Sequence, residues 1–281
     1  MLGSLRRQRA LHGMIVYGLL LLGSGVFLLP FLWMVSTSLK PATEVFTFPP
    51  SFVPSSLQWN NYSDGWTVLP FGTFLGNSVL VTGLNVAGNL ISCSLVAFGF
   101  ARLRARGRNG LFLLVLMTMM IPAEVTMVPR FILFKELGWI NTLRPLIVPA
   151  WFGWPFFIFL LRQFFMGLPR ELDEAAYMDG ASILRVFWSV TLPLSKPALG
   201  SVAIFAFIGN WNNFLDPLIY LRSQELYTLA LGLNLFRGQY VTVVNQLMAV
   251  SILALVPILV VFFFAQKIFV QGVTLSGMGG R

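Results

Sequence analysis

Two groups of residues in this chain have types and spacing suited to recognising something. The first is Asn210-Trp211-Asn212-Asn213-Phe214-Leu215-Asp216, three amides and a carboxylate interleaved with aromatic rings. Amides and a carboxylate hydrogen-bond hydroxyls, and an aromatic face stacks on a sugar ring, so the cluster has the chemistry of a polyol-path lining. For any one of these residues, hydrogen bonding between helices is the plainer reading; their clustering favours a lining. The second group is Glu174-Ala175-Ala176-Tyr177-Met178-Asp179-Gly180-Ala181, followed by Leu192-Pro193. It is charged, helix-forming and rich in small residues, in a chain that is otherwise almost all apolar. Lipid gains nothing from such a stretch, so its expected role is contact with something soluble.

Catalytic constellations are absent. The single histidine, His12, lies in a short N-terminal tail, and the single cysteine, Cys93, falls mid-helix and reads as a small core residue. No Cys/His or His/Asp spacing suits a metal, and no glycine-rich phosphate loop occurs. Two acids fall at membrane depth, Glu124 and Asp216, where ionisable groups are costly and face a partner or an aqueous cavity. Glu124 follows Pro122 and reads as a cap on freed backbone or a hydrated group. An intramembrane hydrolase would need a paired acid and base, and only these two acids are on offer. We therefore expect no catalytic residue, no metal and no cofactor on this chain; if transport is energised, another polypeptide supplies the energy.

The elements that must position these groups follow from composition. The chain has 281 residues, 57% hydrophobic and only 10% charged, with a mean hydropathy of +0.79; a soluble domain carries about a quarter charged residues. Apolar runs long enough to cross a bilayer recur at 14–38, 74–100, 109–129, 142–163, 197–221 and 245–268. They are too long and too evenly apolar for barrel strands. The expected fold is an all-α membrane protein, one transmembrane domain over 1–281 with six helices. Most of the 19 Lys and Arg fall on the segments that an inside N-terminus makes cytoplasmic, including Arg102 to Arg108, which predicts N-in, C-in topology. The net charge of +9 is thus a topology signal rather than a nucleic-acid footprint. The N-terminal apolar run exceeds a signal-peptide core and reads as an uncleaved first helix.

Between spans four and five lies a long inner loop, 164–197. Pro169 suits a first helical turn, and Glu171, Asp173 and Glu174 suit a helix N-terminus. Gly180 is placed as a stop and Ser182 as the cap of a second short helix, which carries Ile183, Val186, Phe187 and Val190 and ends at Pro193 and Pro197. The prediction is a helix–turn–helix on the cytoplasmic face. Pro122 and Pro129 are expected to kink or end span three. An ion channel or secondary carrier would leave the 164–197 loop without a purpose, and no internal repeat supports an inverted-repeat carrier.

Glu174-Ala175-Ala176, Asp179-Gly180-Ala181 and Leu192-Pro193 resemble the EAA loop of ABC importer permeases. Ile121-Pro122-Ala123-Glu124-Val125, Leu137-Gly138-Trp139-Ile140-Asn141-Thr142, Trp211 to Leu215 with Pro217-Leu218-Ile219, and Phe269 to Thr274 are similar to the maltose-type, second-permease branch of the carbohydrate importers. Asn213 and Asp216 depart from that pattern, as does the tail Ser276 to Arg281. The resemblance implies an inner-membrane permease subunit, bacterial or archaeal, that moves a sugar by alternating access; glycerol-3-phosphate or another small polar solute is the alternative cargo. It implies Glu174, Ala175, Ala176, Asp179, Gly180, Ala181, Leu192 and Pro193 as the segment coupled to the ATPase; Trp211, Asn212, Asn213 and Asp216 are candidates along the substrate path by their own chemistry. The implied partners are a homologous second permease, two ATPase subunits that bind ATP and Mg, an extracytoplasmic sugar-binding protein and membrane lipid, with no nucleic acid. The loop at 222–244 would face the binding protein, and the tail after Gly272 the ATPase dimer.

Overall fold

The computed structural model describes residues 2–236 and 243–277, with side chains over 12–236 and 243–266. The expected contacts of the end of the tail, of 237–242 in the loop before the last helix, and of the Phe269–Thr274 side chains lie outside the described residues. The described chain is helical: α1 (Leu2–Ser38), α2 (Asn60–Val68), α3 (Phe71–Arg102), α4 (Arg108–Met117), α5 (Ala123–Glu136), α6 (Arg144–Ile147), α7 (Pro155–Met166), α8 (Glu171–Met178), α9 (Ile183–Val186), α10 (Leu192–Leu194), α11 (Lys196–Trp211), α12 (Leu215–Tyr220), α13 (Leu229–Leu235) and α14 (Val244–Gly277). Among the described residues, four stretches are long and apolar enough to cross a membrane: His12–Ser38, Phe71–Arg102, Arg144–Met166 and Val244–Gln266. Two bent pairs bring the number to six if each counts as one span.

The bends answer to local chemistry. Span three breaks by 97° between α4 and α5, at Ile121 and Pro122, because the residue before proline is driven out of the helical region (ψ of Ile121 is 116°). Pro129, by contrast, sits inside α5 without ending it. Span five is not one helix: α11 stops at Trp211, and the chain restarts at Leu215. Span four is interrupted too, by a tight turn over Val148–Phe152 and by Gly153 at φ +90°, a conformation that L side chains rarely adopt.

Such breaks expose backbone carbonyls, and lipid supplies no donors for them. Helix α3 provides the donors through a buried polar stripe that includes Ser78, Thr82, Asn85 and Asn89. The Asn85 amide donates to Leu146 O at 2.8 Å, the Ser92 hydroxyl to Ala150 O at 3.1 Å, and Trp154 N–H to the Cys93 sulfur at 3.2 Å. Cys93 is thus a buried core residue, as expected, with an added role as acceptor for the start of α7. Gly88 permits the same approach, since a Cβ there would stand 2.8 Å from the Trp151 ring. Apolar burial between helices gains little in lipid, so donors and close packing carry this association.

The chain divides into two compact units. One comprises 1–69 and 233–255. There α1 presents apolar side chains on all sides, as a lipid-facing helix does, and the Asn61 amide ties the end of α1 to α2 through Ser38 O (2.8 Å) and Lys40 O (3.0 Å). Asn245 of α14 adds bonds to Lys40 O and Asn61 Oδ1 at 3.1 Å each. The other unit comprises 70–232 and 256–281 and contains both candidate groups.

Candidate functional site

The segment 168–195 forms the expected helix–turn–helix. Its first helix, α8, starts at Glu171 with Arg170 as N-cap, so Pro169 lies before the cap rather than in the first turn. Gly180 ends it at φ +77°. Gly180 N–H donates to Tyr177 O at 3.0 Å and Ala181 N–H to Ala176 O at 2.9 Å, the paired closing bonds of a left-handed helix stop. A Cβ on Gly180 would meet nothing within 4 Å; the backbone conformation, not crowding, requires glycine. Ser182 caps the second helix, its hydroxyl accepting from Arg185 N–H at 3.4 Å. That helix runs from α9 through a wider turn at Phe187–Thr191 into α10. It does not stop at Pro193, which fits an N-terminal position of α10; the 79° bend falls at Ser195, before Lys196 and Pro197 open α11.

One side of this unit is anchored. Val186 and Phe187 are fully buried, and Phe187 packs on Phe98 of α3 with ring centroids 5.2 Å apart. Ala176, Ala181 and Leu192 pack partly buried against the same core. Arg102, the last residue of α3, reaches Asp173 of α8 at 3.2 Å and donates to Leu168 O at 2.9 Å. The two side chains are only 4% and 12% exposed. Sequence reasoning assigned Arg102 to topology and Asp173 to the helix dipole, and missed this pair. The other side is open. Glu174, Ala175, Asp179, Gly180 and Pro193 are exposed, and so are Tyr177, Ile183, Leu184 and, at 88%, Met178. Exposed apolar side chains thus stand beside acids on an anchored scaffold.

The second group occupies the break in span five. Asp216 N–H, in the first turn of α12, donates to Asn213 Oδ1 at 3.2 Å, and the Asn213 side-chain amide donates to Asp216 Oδ2 at 2.9 Å, so the two side chains fix each other at the start of the helix. The other Asp216 oxygen stands 3.9 Å from Arg130 of α5. Asn212 is exposed and donates to Ile208 O at 3.0 Å. Trp211 is buried and stacks on Phe207, so its indole does not line an open surface. Glu124 is exposed in the first turn of α5. We expect Asp216→Asn to keep a side-chain bond with Asn213, and Asp216→Leu to lose both that bond and the Arg130 partner while the backbone N–H of residue 216 still donates to Asn213 Oδ1. The latter should cost about 1 kcal/mol, seen as a lower melting temperature in detergent.

Asn141 is a residue whose role was not read from sequence. It sits at φ +60°. Its carboxamide oxygen accepts from Arg222 N–H (3.0 Å) and Ser223 N–H (2.9 Å), and its amide donates to the Ser223 hydroxyl (2.8 Å). The turn after α5 is thereby clamped to the end of α12, next to the polar break. Asn141→Ala should remove three side-chain bonds and strain the left-handed backbone. The expected loss is on the order of 2–4 kcal/mol, measured by thermal unfolding.

The family described as binding-protein-dependent transport system inner membrane component matches residues 91–275. The arabinooligosaccharides transport system permease protein AraQ of Halalkalibacterium halodurans is 37% identical over 89% of this chain and 91% of its own. The sn-glycerol-3-phosphate transport system permease protein UgpE of Yersinia enterocolitica is 33% identical over 94% and 95%. Among solved structures, a chain of a bacterial ABC transporter involved in the import of alginate superposes with a TM-score of 0.81, covering 93% of this chain and 97% of its own at 24% identity, a likeness of fold.

Proposed function

Since the chain belongs to the family of binding-protein-dependent transport system inner membrane components, we propose that it is the permease subunit of an ATP-driven sugar importer, coupled through 171–193 to separate ATPase subunits. The observation that carries this is the helix–turn–helix itself, fixed to α3 by Arg102–Asp173 and Phe187, with Tyr177, Met178, Ile183 and Leu184 open to a partner. A partner that closes on α8 pushes a rigid body. The pair to Arg102 transmits the push to the end of α3, and α10 transmits it to α11, the helix that ends at the polar break. The membrane helices then alternate between faces while ATP chemistry stays on the partner subunits. The full assembly comprises this chain, a second permease, two ATPases and an extracytoplasmic binding protein, with N- and C-termini of this chain in the cytoplasm.

The cargo we infer is a neutral sugar. Asn210, Asn212 and Asn213 lie at the break in span five, a residue type that pairs with hydroxyls, and Arg130, a cation beside it, is faced by Asp216 at 3.9 Å. Glycerol-3-phosphate is the second reading, favoured by the same Arg130 and by the similarity to UgpE. Affinity isolation of the tagged chain in mild detergent tests the assembly. Stoichiometric recovery of an ATPase and a second permease supports the reading; recovery of the chain alone, stable and without an ATPase, refutes it. Uptake of labelled sugar against labelled glycerol-3-phosphate by the reconstituted complex separates the two cargoes.

A further inference from the structure

A cavity of about 660 Å³ opens where α3 ends and α4 begins, lined by Arg102, Arg104, Arg106, Arg108, Asn109 and Arg170 among others. Five arginines share it, and among the described residues the one carboxylate ion-paired with any of them is Asp173, which takes Arg102. Arg104, Arg106 and Arg170 are exposed, and none of them pairs with an acid. Arg108 is tethered to the Leu103 carbonyl at 2.9 Å, which holds its guanidinium at the rim. The Nε atom of Arg102 is buried and has no hydrogen-bond partner. The turn between the helices adds donors: Gly107 at φ +77° starts α4, so the first-turn N–H groups of Asn109 and Gly110 stand at the cavity without helical acceptors. Collected positive charge beside a free helix start calls for an anion with several oxygens.

Its position selects the kind of anion. The cavity lies at the ends of two apolar helices, and directly along α4 the side chains of Leu111, Leu113 and Leu114 are each more than half exposed. An open, arginine-lined groove beside an exposed apolar helix surface fits an amphiphile whose charged end is at the helix terminus and whose chains lie along α4. We propose that this cavity is a binding site for the headgroup phosphate of an anionic phospholipid. Occupancy there relieves the crowding of like charges beside Arg102, the residue that holds α8. The site is independent of which cargo the chain moves and of which ATPase docks on it.

Native mass spectrometry of the purified full chain in detergent tests the site, with phosphatidylglycerol, phosphatidylcholine and inorganic phosphate as probes. The variant is R104Q/R106Q/R170Q, which leaves Arg102 in place. The control is R144Q/R222Q, two exposed arginines away from the cavity. Wild type and control should retain phosphatidylglycerol at about tenfold lower concentration than phosphatidylcholine, and the triple variant should lose that preference while keeping its melting temperature. Equal retention of both lipids by wild type would overturn the site. So would an undiminished preference in the triple variant, or saturation by inorganic phosphate with no lipid preference, which would make it a site for a free anion instead. A triple variant that loses both the preference and its fold is resolved by R104Q alone, which should weaken the preference without unfolding the chain; an unchanged preference in R104Q and in R106Q would also overturn the site.

Discussion

Gly180→Val is expected to lower coupled uptake tenfold or more, while the chain still reaches the membrane and melts within a few degrees of wild type. The reasoning is local. Gly180 is held at φ +77° with no atom within 4 Å of a Cβ, so valine meets no wall. It meets only the left-handed backbone penalty, about 1–2 kcal/mol and larger for a β-branched residue. The cheapest escape is to open the two closing bonds to Tyr177 O and Ala176 O, which turns α8 away from α9. The buried anchor at Val186, Phe187 and Asp173 remains, so the chain stays folded and membrane-bound. Gly180→Asn, which tolerates the same conformation, should retain much of the activity. Uptake and ATP hydrolysis measured together in proteoliposomes check this: hydrolysis without uptake is the expected pattern for valine, and normal uptake with valine in place would remove the turn from the mechanism.

Breaking the Arg102–Asp173 pair should be costlier. Asp173→Ala leaves a guanidinium that is 4% exposed facing no carboxylate, and removing one partner of a buried pair costs about 3–5 kcal/mol. We expect a large fall in melting temperature and loss of the complex. Arg102→Met combined with Asp173→Leu should recover much of the stability, because the buried charge goes with its partner, yet uptake should stay low, since the link from α8 to α3 is gone. A double variant with full uptake would make the pair structural only. Purified-complex melting and uptake, measured on the three chains side by side, separate these outcomes.

What was legible in the sequence was what neighbours in the chain decide. Gly180 as a stop, Ser182 as a cap and Pro122 as a break each depend on the chain within a few residues, and each is found. The places where long-range pairing decides were not legible. Span four reads as one apolar helix because nothing local reveals that Asn85 and Ser92 satisfy the carbonyls of Leu146 and Ala150. Arg102 reads as one more positive charge in a basic turn, because its partner lies some seventy residues on. Pro193 has the look of a stop, but a proline in the first turn of a helix lacks only an N–H that would be unsatisfied there anyway. In the polar cluster the residue types were evident, but not the division of labour. Asn213 and Asp216 bond each other and Asp216 faces Arg130, while Trp211 is turned into the core.

An ATPase subunit docked on 171–193 is within reach of site-directed cross-linking in the assembled complex. Met178→Cys and Leu184→Cys place thiols on the open face, and Trp59→Cys places an equally exposed thiol in the segment between α1 and α2; the native Cys93 is fully buried and silent. With a short bifunctional thiol reagent, positions 178 and 184 should link to the ATPase subunit in high yield and position 59 should not. A transport-active complex in which neither 178 nor 184 links, or in which 59 links instead, would contradict the account.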